Sequence, residues 1–391
     1  MAPFLPLDTA EWQRSCTEVA MEAARLQEAV NPRLRLALAP LLEVMNCYYS
    51  NLIEGHHTFP GEVAAALRSA AEPKTQESLV REAMAHIATQ RAVDVRLQDG
   101  AWNPATPEAL GWMHAEFTSR LPDDLRWAES PDGKTRMAVI PGAWRTSQVS
   151  VGRHDPPLHT ALPLFLAEFV VRYGAHDDPS PSSLARIAAA HHRLLWIHPF
   201  LDGNGRVTRL MTDAMLERAA LGCGGLWRIS RGFARKVGDY KRLLENADAP
   251  RQGQLDGRGN LSQRGLDAWC AFVIERASDQ IRFMRDLLKP ALLSERIHAW
   301  ARESFPHSHH ERIGLLLSLV MQNGEITRAT ATTLLGVGER QARNIIDDLV
   351  RRGVVAAEPR GPLRPAIAMD AVPRWFPDLF PHHEDERLRS G

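Results

Sequence analysis

Apolar residues recur every three to four positions over much of the N-terminal part of the chain. Segments 11–30, 34–53, 76–97 and 107–117 keep this spacing, with Ala, Glu, Arg and Leu abundant, and the pattern predicts amphipathic helices. The period changes at 133–152. Met137-Ala-Val-Ile, then Pro141-Gly142, then Gln148-Val-Ser-Val predict two short strands around a turn, a β-hairpin on a helical body. Helical spacing returns at 158–173. The polar run Asp177-Asp-Pro-Ser-Pro-Ser-Ser ends in helix-capping residues and leads into a helix expected over 183–197. A further helix runs from Arg206 to about Ala220, stopped by Gly222-Cys-Gly-Gly. The loop-like stretch 248–260 precedes Ser262, the expected N-cap of a helix reaching about Leu288.

Pro290 and the polar Ser304-Phe-Pro-His-Ser-His-His mark a domain boundary. Beyond it, helical patterns at 312–322, 329–335 and 339–352 are separated by Asn323-Gly324 and Gly336-Val-Gly338. Val354 to Ala357, a turn at Pro359-Arg-Gly-Pro and Ala366-Ile-Ala-Met follow. Three helices and a hairpin predict a winged helix-turn-helix. The fold class is mainly α, divided into an N-terminal helical region (1–110), a central core (111–290) and a small C-terminal domain with its tail (291–391).

Composition narrows the class of protein. The 391 residues include 47 Lys+Arg and 47 Asp+Glu, a balance that excludes a uniformly basic nucleic-acid coat or polybasic membrane binder while leaving local patches open. The four cysteines, Cys16, Cys47, Cys223 and Cys270, form no CxxC pair, which argues against a disulfide framework or zinc ribbon. His191, His192 and His198, and separately His307, His309 and His310, lack ligands at finger-like spacing, so zinc is not expected. There is no apolar run of about 18 residues, and Met1-Ala-Pro-Phe-Leu lacks the basic start of a signal peptide. The expectation is a soluble cytoplasmic protein with no membrane partner.

One segment carries the chemistry: His198-Pro-Phe-Leu-Asp202-Gly203-Asn204-Gly205-Arg206-Val207-Thr208-Arg209. It joins two helical patterns. Its Gly-Asn-Gly centre lets successive N–H groups face one concavity at a helix start, where free amides and the helix dipole favour a phosphate. Asp202 is a hard oxygen ligand suited to Mg²⁺. Arg206 and Arg209, three residues apart, are each able to fork onto phosphate oxygens. His198 titrates near neutrality and could take a hydroxyl proton. By contrast, Asp256-Gly-Arg-Gly-Asn260 scrambles the same residue types without the His-Pro-Phe or the spaced arginines, and reads as a structural loop.

This segment resembles the HPFx(D/E)GNGRxxR signature of Fic-domain proteins at every fixed position, and the resemblance extends over roughly residues 40–290. It implies a Fic-type helical core that transfers AMP from ATP to a hydroxyl side chain of a target protein and releases pyrophosphate. It implies His198 as general base, Asp202 as the Mg²⁺ holder, Gly203, Asn204 and Gly205 as the anion hole, and Arg206 and Arg209 on the outer phosphates. Residues 133–152 resemble the Fic flap, a hairpin on which a target segment with a Ser, Thr or Tyr hydroxyl docks. Val151, Gly152, Arg153 and His154 correspond to positions beside the nucleotide, and Tyr240 to an aromatic that stacks on adenine.

Ser50-Asn-Leu-Ile-Glu54-Gly55 resembles the (S/T)xxxE(G/N) inhibitory motif of the same family. Ser50 and Glu54 lie one helical turn apart, and Gly55 suits the left-handed end of a helix. A glutamate at a helix C-terminus opposes the dipole and calls for a cation, for which Arg209 is the candidate. The resemblance further implies that Glu54 blocks ATP alignment, and that in some relatives the same glutamate serves AMP removal.

Residues 311–369 hold eight arginines against six acidic residues, an excess too small to establish DNA binding. Two function classes follow. The preferred one is a Mg²⁺- and ATP-dependent protein adenylyltransferase restrained by Glu54. The runner-up is a DNA-binding transcriptional regulator with the core as nucleotide sensor, which would need the clamp but not His198. Self-modification and a homodimer are compatible with either.

Overall fold

A computed structural model describes residues 1–68, 78–130, 133–174 and 182–381. Residues 177–181 of the expected polar loop, and residues 76–77 at the expected start of a helix, lie outside the described residues. The fold is mainly α and divides into two compact units, Met1–Ala24 with Asn46–Ile281, and Arg25–Met45 with Arg282–Gly391.

The first unit contains the leading part of α1 (Ala10–Ala29), the last turns of α2 (Pro32–Ile53), α3 (Pro60–Arg68), α4 (Ser78–Arg96) and α5 (Pro107–Thr118). It continues with α6 (Leu162–Tyr173), α7 (Ser182–Ile197), α8 (Asn204–Arg218), α9 (Ile229–Ala234), α10 (Val237–Asp248) and most of α11 (Gln263–Leu287). Packing centres on α7 and α8. Ala188, Ala189 and Ala190 of α7 are all fully buried, so at this level the helix is covered on every side. From Arg206 to Leu216, every residue of α8 is buried. A helix buried all round must satisfy its polar groups internally. Asp213 does so by accepting from Ile229 N–H (3.1 Å) and Asn46 Nδ2 (3.3 Å), and burial pushes its pKa up to about 6.

The hairpin differs from expectation. Its strands are β1 (Trp127–Glu129) and β2 (Arg136–Ala138), antiparallel with Ala128 opposite Met137. Residues 148–151, expected as the returning strand, form no strand. The cause lies at Pro141-Gly142: Gly142 takes φ +76° and a Cβ there would fall 3.1 Å from Gly111 O of α5, so the chain is drawn onto α5.

In the second unit, α12 (Pro290–Ser304) fills the expected boundary region. α13 (His310–Asn323) and α14 (Arg328–Leu335) end at Gly324 and Gly336, both left-handed, as the Gly punctuation predicts. α15 (Glu339–Arg351), β3 (Val355–Ala356), β4 (Arg364–Pro365) and the short α16 (Val372–Trp375) complete it. β3 and β4 pair with Val355 opposite Pro365, so the ribbon closes one residue before the expected Ala366-Ile-Ala-Met strand. Arg328 of α14 donates from Nε to Gly361 O (3.1 Å), tying helix to ribbon. All four cysteines are buried thiols outside any disulfide, and among the described residues no helix is long and apolar enough to cross a membrane.

Because α7 is enclosed at its alanine triplet, Ala189→Leu is expected to overpack the core and lower unfolding free energy by about 1–3 kcal/mol, read as a reduced urea midpoint with unchanged slope.

Candidate active site

The site forms where α7 ends and α8 begins. His198 N–H still donates to Leu194 O (3.0 Å), but its φ of +49° turns the chain out of the helix. Asn204 closes the turn with its own amide, accepting from Phe200 N–H at Oδ1 (3.0 Å) and donating to Phe200 O from Nδ2 (2.9 Å). Both side-chain polar atoms are thereby used in shaping the loop. Gly203, at φ +79°, precedes the first turn of α8, and no side chain caps the amides at this helix start.

A carboxylate already lies against that start. Glu54 Oε1 accepts from Arg209 Nη2 at 2.6 Å, and a Cβ on Gly205 would collide with the same oxygen. Gly55 takes φ +85° where α2 ends, as expected for a left-handed terminus. Ser50, one turn earlier, holds Arg209 twice, accepting from Nε at its hydroxyl (2.9 Å) and from Nη2 at its carbonyl (3.2 Å). Burial alone would raise the pKa of Glu54, but the charges of Arg209 and Arg206 and the Arg209 hydrogen bond outweigh it and hold the carboxyl below its ordinary value. Glu54 is therefore ionised at neutral pH with its side chain 32% exposed, while Arg209 is 2% exposed.

Behind Arg209 runs a network whose proton directions are set by the donor inventory. Thr212 Oγ1 donates to Thr208 O (2.7 Å), so it accepts from His191 Nδ1–H (2.8 Å). That leaves His191 Nε2 to accept from the Tyr240 hydroxyl (3.2 Å), whose oxygen is free to accept from Arg209. Burial keeps His191 far below its ordinary pKa and hence neutral, as this chain requires. Tyr240 is enclosed by Phe233 (4.8 Å between ring centroids) and Trp269 (5.6 Å). Tyr240 thus offers the site its hydroxyl, and its ring packs in the aromatic core.

Arg206 is held from the α4 side: its Nη2 bonds the buried carboxylate of Glu82 and lies 3.1 Å from His56 Nδ1, while its charge also acts on Glu54. His56 Nδ1 is 2.7 Å from the other oxygen of Glu82, a bond that raises its pKa. Burying Arg206 demands a counter-charge, and Glu82 supplies it. Val207 and Thr208 are fully buried in α8, so their side chains face the core.

His198 lies close to Arg145, whose Nε donates to His198 O (2.8 Å). Desolvation lowers the pKa of His198 to about 4, and the charge of Arg145 acts in the same direction, so the imidazole is an unprotonated base at neutral pH. The Asp202 side chain is exposed, and its main-chain oxygen accepts from His114 Nε2 (3.2 Å). Among the described residues no three His, Cys, Asp or Glu side chains cluster as a metal site. One exposed carboxylate is nonetheless the donor set suited to Mg²⁺ that takes its other ligands from phosphates and water. Residues 151–154 form a tight turn closed by reciprocal Val151–His154 main-chain bonds (both 2.9 Å) and anchored by His154 Nε2 to Trp196 O (2.8 Å). Gly152 sits at φ +58° in this turn, and Arg153 is exposed, 3.7 Å from Glu245.

The sequence reading missed His56, Glu82, His114, Arg145 and His191. Each acts across a long sequence separation and carries no local motif. The nearest signal was Glu82 on the inner face of a helical pattern, a charged residue that would need a partner once buried.

Residues 104–216 match the Fic/DOC family. Over 78 residues, the chain is 40% identical to "Protein adenylyltransferase Fic" of Drosophila ananassae, a stretch covering 20% of this chain and 16% of that protein. The match thus spans under a fifth of the relative's length. Among solved structures, a Fic family protein from Desulfovibrio desulfuricans G20 aligns with TM-score 0.51 and 17% identity over 93% of this chain and 98% of that one. Fic-1 from C. elegans aligns with TM-score 0.53 and 18% identity over 72% and 74%. Both support a shared fold.

Two outcomes follow from the site geometry. Glu82→Ala strands a buried guanidinium and should cost about 3–5 kcal/mol of stability in chemical denaturation. Histidine NMR of the unliganded protein should place the His198 midpoint near 4. Since the unfolded histidine protonates near 6.5, His198 contributes stability that is full above that value and lost as pH falls toward 4; in His198→Gln this part of the pH dependence should disappear.

Proposed function

The chain carries a Fic/DOC domain at residues 104–216, and from that premise we propose that it is a protein adenylyltransferase held in check by its own Glu54. The observation that carries this reading is the 2.6 Å pair between Glu54 and Arg209, set against Gly205 at the start of α8. The carboxylate occupies the kind of place where amides, dipole and guanidinium together suit a phosphate. With Glu54 withdrawn, Arg209 is the cation for the outer phosphates of ATP, and the amides around Gly203 and Gly205 cradle the chain of phosphates. Asn204 shapes the cradle by closing its loop.

In the transfer, unprotonated His198 accepts the proton of a target Ser, Thr or Tyr hydroxyl. The freed oxygen forms a bond to the α-phosphorus of ATP, the bond from that phosphorus to the bridging oxygen breaks, and pyrophosphate leaves with the electron pair. Asp202 would hold Mg²⁺, which neutralises phosphate charge when bound. The β1–β2 ribbon and the 140–151 segment supply the candidate surface for the target, and self-modification is the simplest case. Positioning dominates such chemistry, so an internal carboxylate that displaces the outer phosphates is enough to suppress it. The same Glu54 could orient water for removal of AMP, with His198 returning the proton.

In the C-terminal unit, α13, α14, α15 and the β3–β4 ribbon support a winged helix-turn-helix. α15 sets Arg340, Arg343 and Arg351 against Glu339, Asp347 and Asp348, with Arg351 paired to Asp348. This is a balanced face, which favours protein contact over the phosphate footprint of DNA. The regulator reading therefore ranks below the enzyme.

With α-labelled ATP, Glu54→Gly is expected to label itself or lysate proteins at least about tenfold faster than the unmodified chain, a barrier change of about 1.4 kcal/mol. Adding His198→Ala should abolish the label. Equal labelling of all three proteins would remove both the base and the brake.

A further inference from the structure

Arg145 is an arginine without a carboxylate. It is 2% exposed, and among the described residues no acidic side chain pairs with it. A buried guanidinium is costly unless its donors are met, and here main-chain carbonyls meet them. Nε donates to His198 O (2.8 Å), Nη1 to Ser147 O (3.1 Å), and Nη2 to Pro157 O and, at 3.5 Å, to Ile197 O. Its own N–H donates to Pro199 O (2.9 Å). One residue thereby grips the peptide groups at Ile197, His198 and Pro199, where a non-glycine residue is held at positive φ. Such a conformation persists only when its surroundings over-determine it.

A second fastening lies three residues upstream. Gly142 N–H donates to His114 Nδ1 (2.9 Å), so Nδ1 is the bare nitrogen and Nε2 carries the hydrogen given to Asp202 O (3.2 Å). The His114 ring stacks on Phe200, with centroids 3.9 Å apart and planes 6° from parallel. A Cβ on Gly203 would lie 3.5 Å from this ring, so the imidazole also backs the start of the phosphate cradle. Gly142 and Arg145 thus bind the segment following β2 to both ends of the His198–Asp202 loop.

We propose that Arg145 and His114 are positioning residues that hold His198 and Asp202 in register with the segment on which a target would lie. Neither reaches the reacting atoms; each acts on the main chain of a residue that does. The guanidinium is suited to the task because its planar fork satisfies several carbonyls at once, which a compact ammonium does not. The proposal deepens the reading of His198 as base and rests on it for its catalytic meaning, while its structural content has a readout of its own.

The test uses the full chain in the Glu54→Gly background with ¹³C-labelled histidine, the His198 ring signal being assigned through His198→Gln. The parent should give one sharp His198 signal. Arg145→Lys and His114→Phe should each broaden or split it, whereas His114→Gln, which keeps an acceptor and a donor, should retain more of the parent signal. In transfer assays, Arg145→Lys and His114→Phe should lower kcat about 100-fold while the KM for ATP stays within about threefold, the mark of misplacement rather than lost binding. Should Arg145→Lys fail to fold, His114→Phe, which preserves the stack on Phe200, carries the test. A sharp, unmoved His198 signal with undiminished kcat in the folded variants overturns the proposal and leaves the transferase reading intact. A parent that transfers nothing, while the signal still responds to both variants, removes the transferase reading and leaves the clasp standing.

Discussion

A full positive charge at Arg209 is buried in the middle of α8, and much of the site is arranged around meeting its needs. Ser50 receives two of its donors, Tyr240 stands behind it, and Glu54 supplies the opposite charge. Burial by itself would lower the pKa of Arg209, but the charges of Glu54 and Tyr240 and the hydrogen bonds to both together outweigh it and raise the pKa above its ordinary value. Unpaired, such a group would be strongly destabilising. The fold is therefore never indifferent to what lies opposite Arg209. An internal carboxylate and an external phosphate are chemically equivalent answers to one electrostatic demand.

That equivalence links stability, regulation and chemistry. Glu54 lies where α2 ends, at the one part of the network whose side chain is about a third exposed. Everything on the far side of Arg209 is fixed: the Tyr240–His191–Thr212 chain has one consistent set of proton directions, and its members are buried. Movement is thus cheapest on the Glu54 side. Arg206, by contrast, is locked by Glu82 and His56.

Much of this was legible in the sequence because the chemistry-bearing residues are contiguous. His198 to Arg209 forms one turn and one helix start, and the positive φ of Gly203 and Gly55 was readable from residue type alone. The pairing of Glu54 with Arg209 followed from a helix-end carboxylate requiring a cation. What stayed hidden is the long-range support. Arg145 falls between the two expected strands, Met137-Ala-Val-Ile and Gln148-Val-Ser-Val, in a stretch with no motif of its own, and only its burial against the Ile197–Pro199 carbonyls reveals its role. Tyr240 carried an aromatic signature that suits a stacking platform or a core equally, and Phe233 and Trp269 decided for the core. Glu82 could be paired with Arg206 only once α4 was seen against α8.

On the proposed reading, Glu54 and the outer phosphates of ATP compete for Arg209. A crystal structure of the Glu54→Gln protein with a non-hydrolysable ATP analogue tests it most directly. Outer phosphate oxygens are expected within hydrogen-bond distance of Arg209, over Gly205, with the α-phosphate turned toward His198. A triphosphate bound elsewhere, with Arg209 making no phosphate contact, would contradict it.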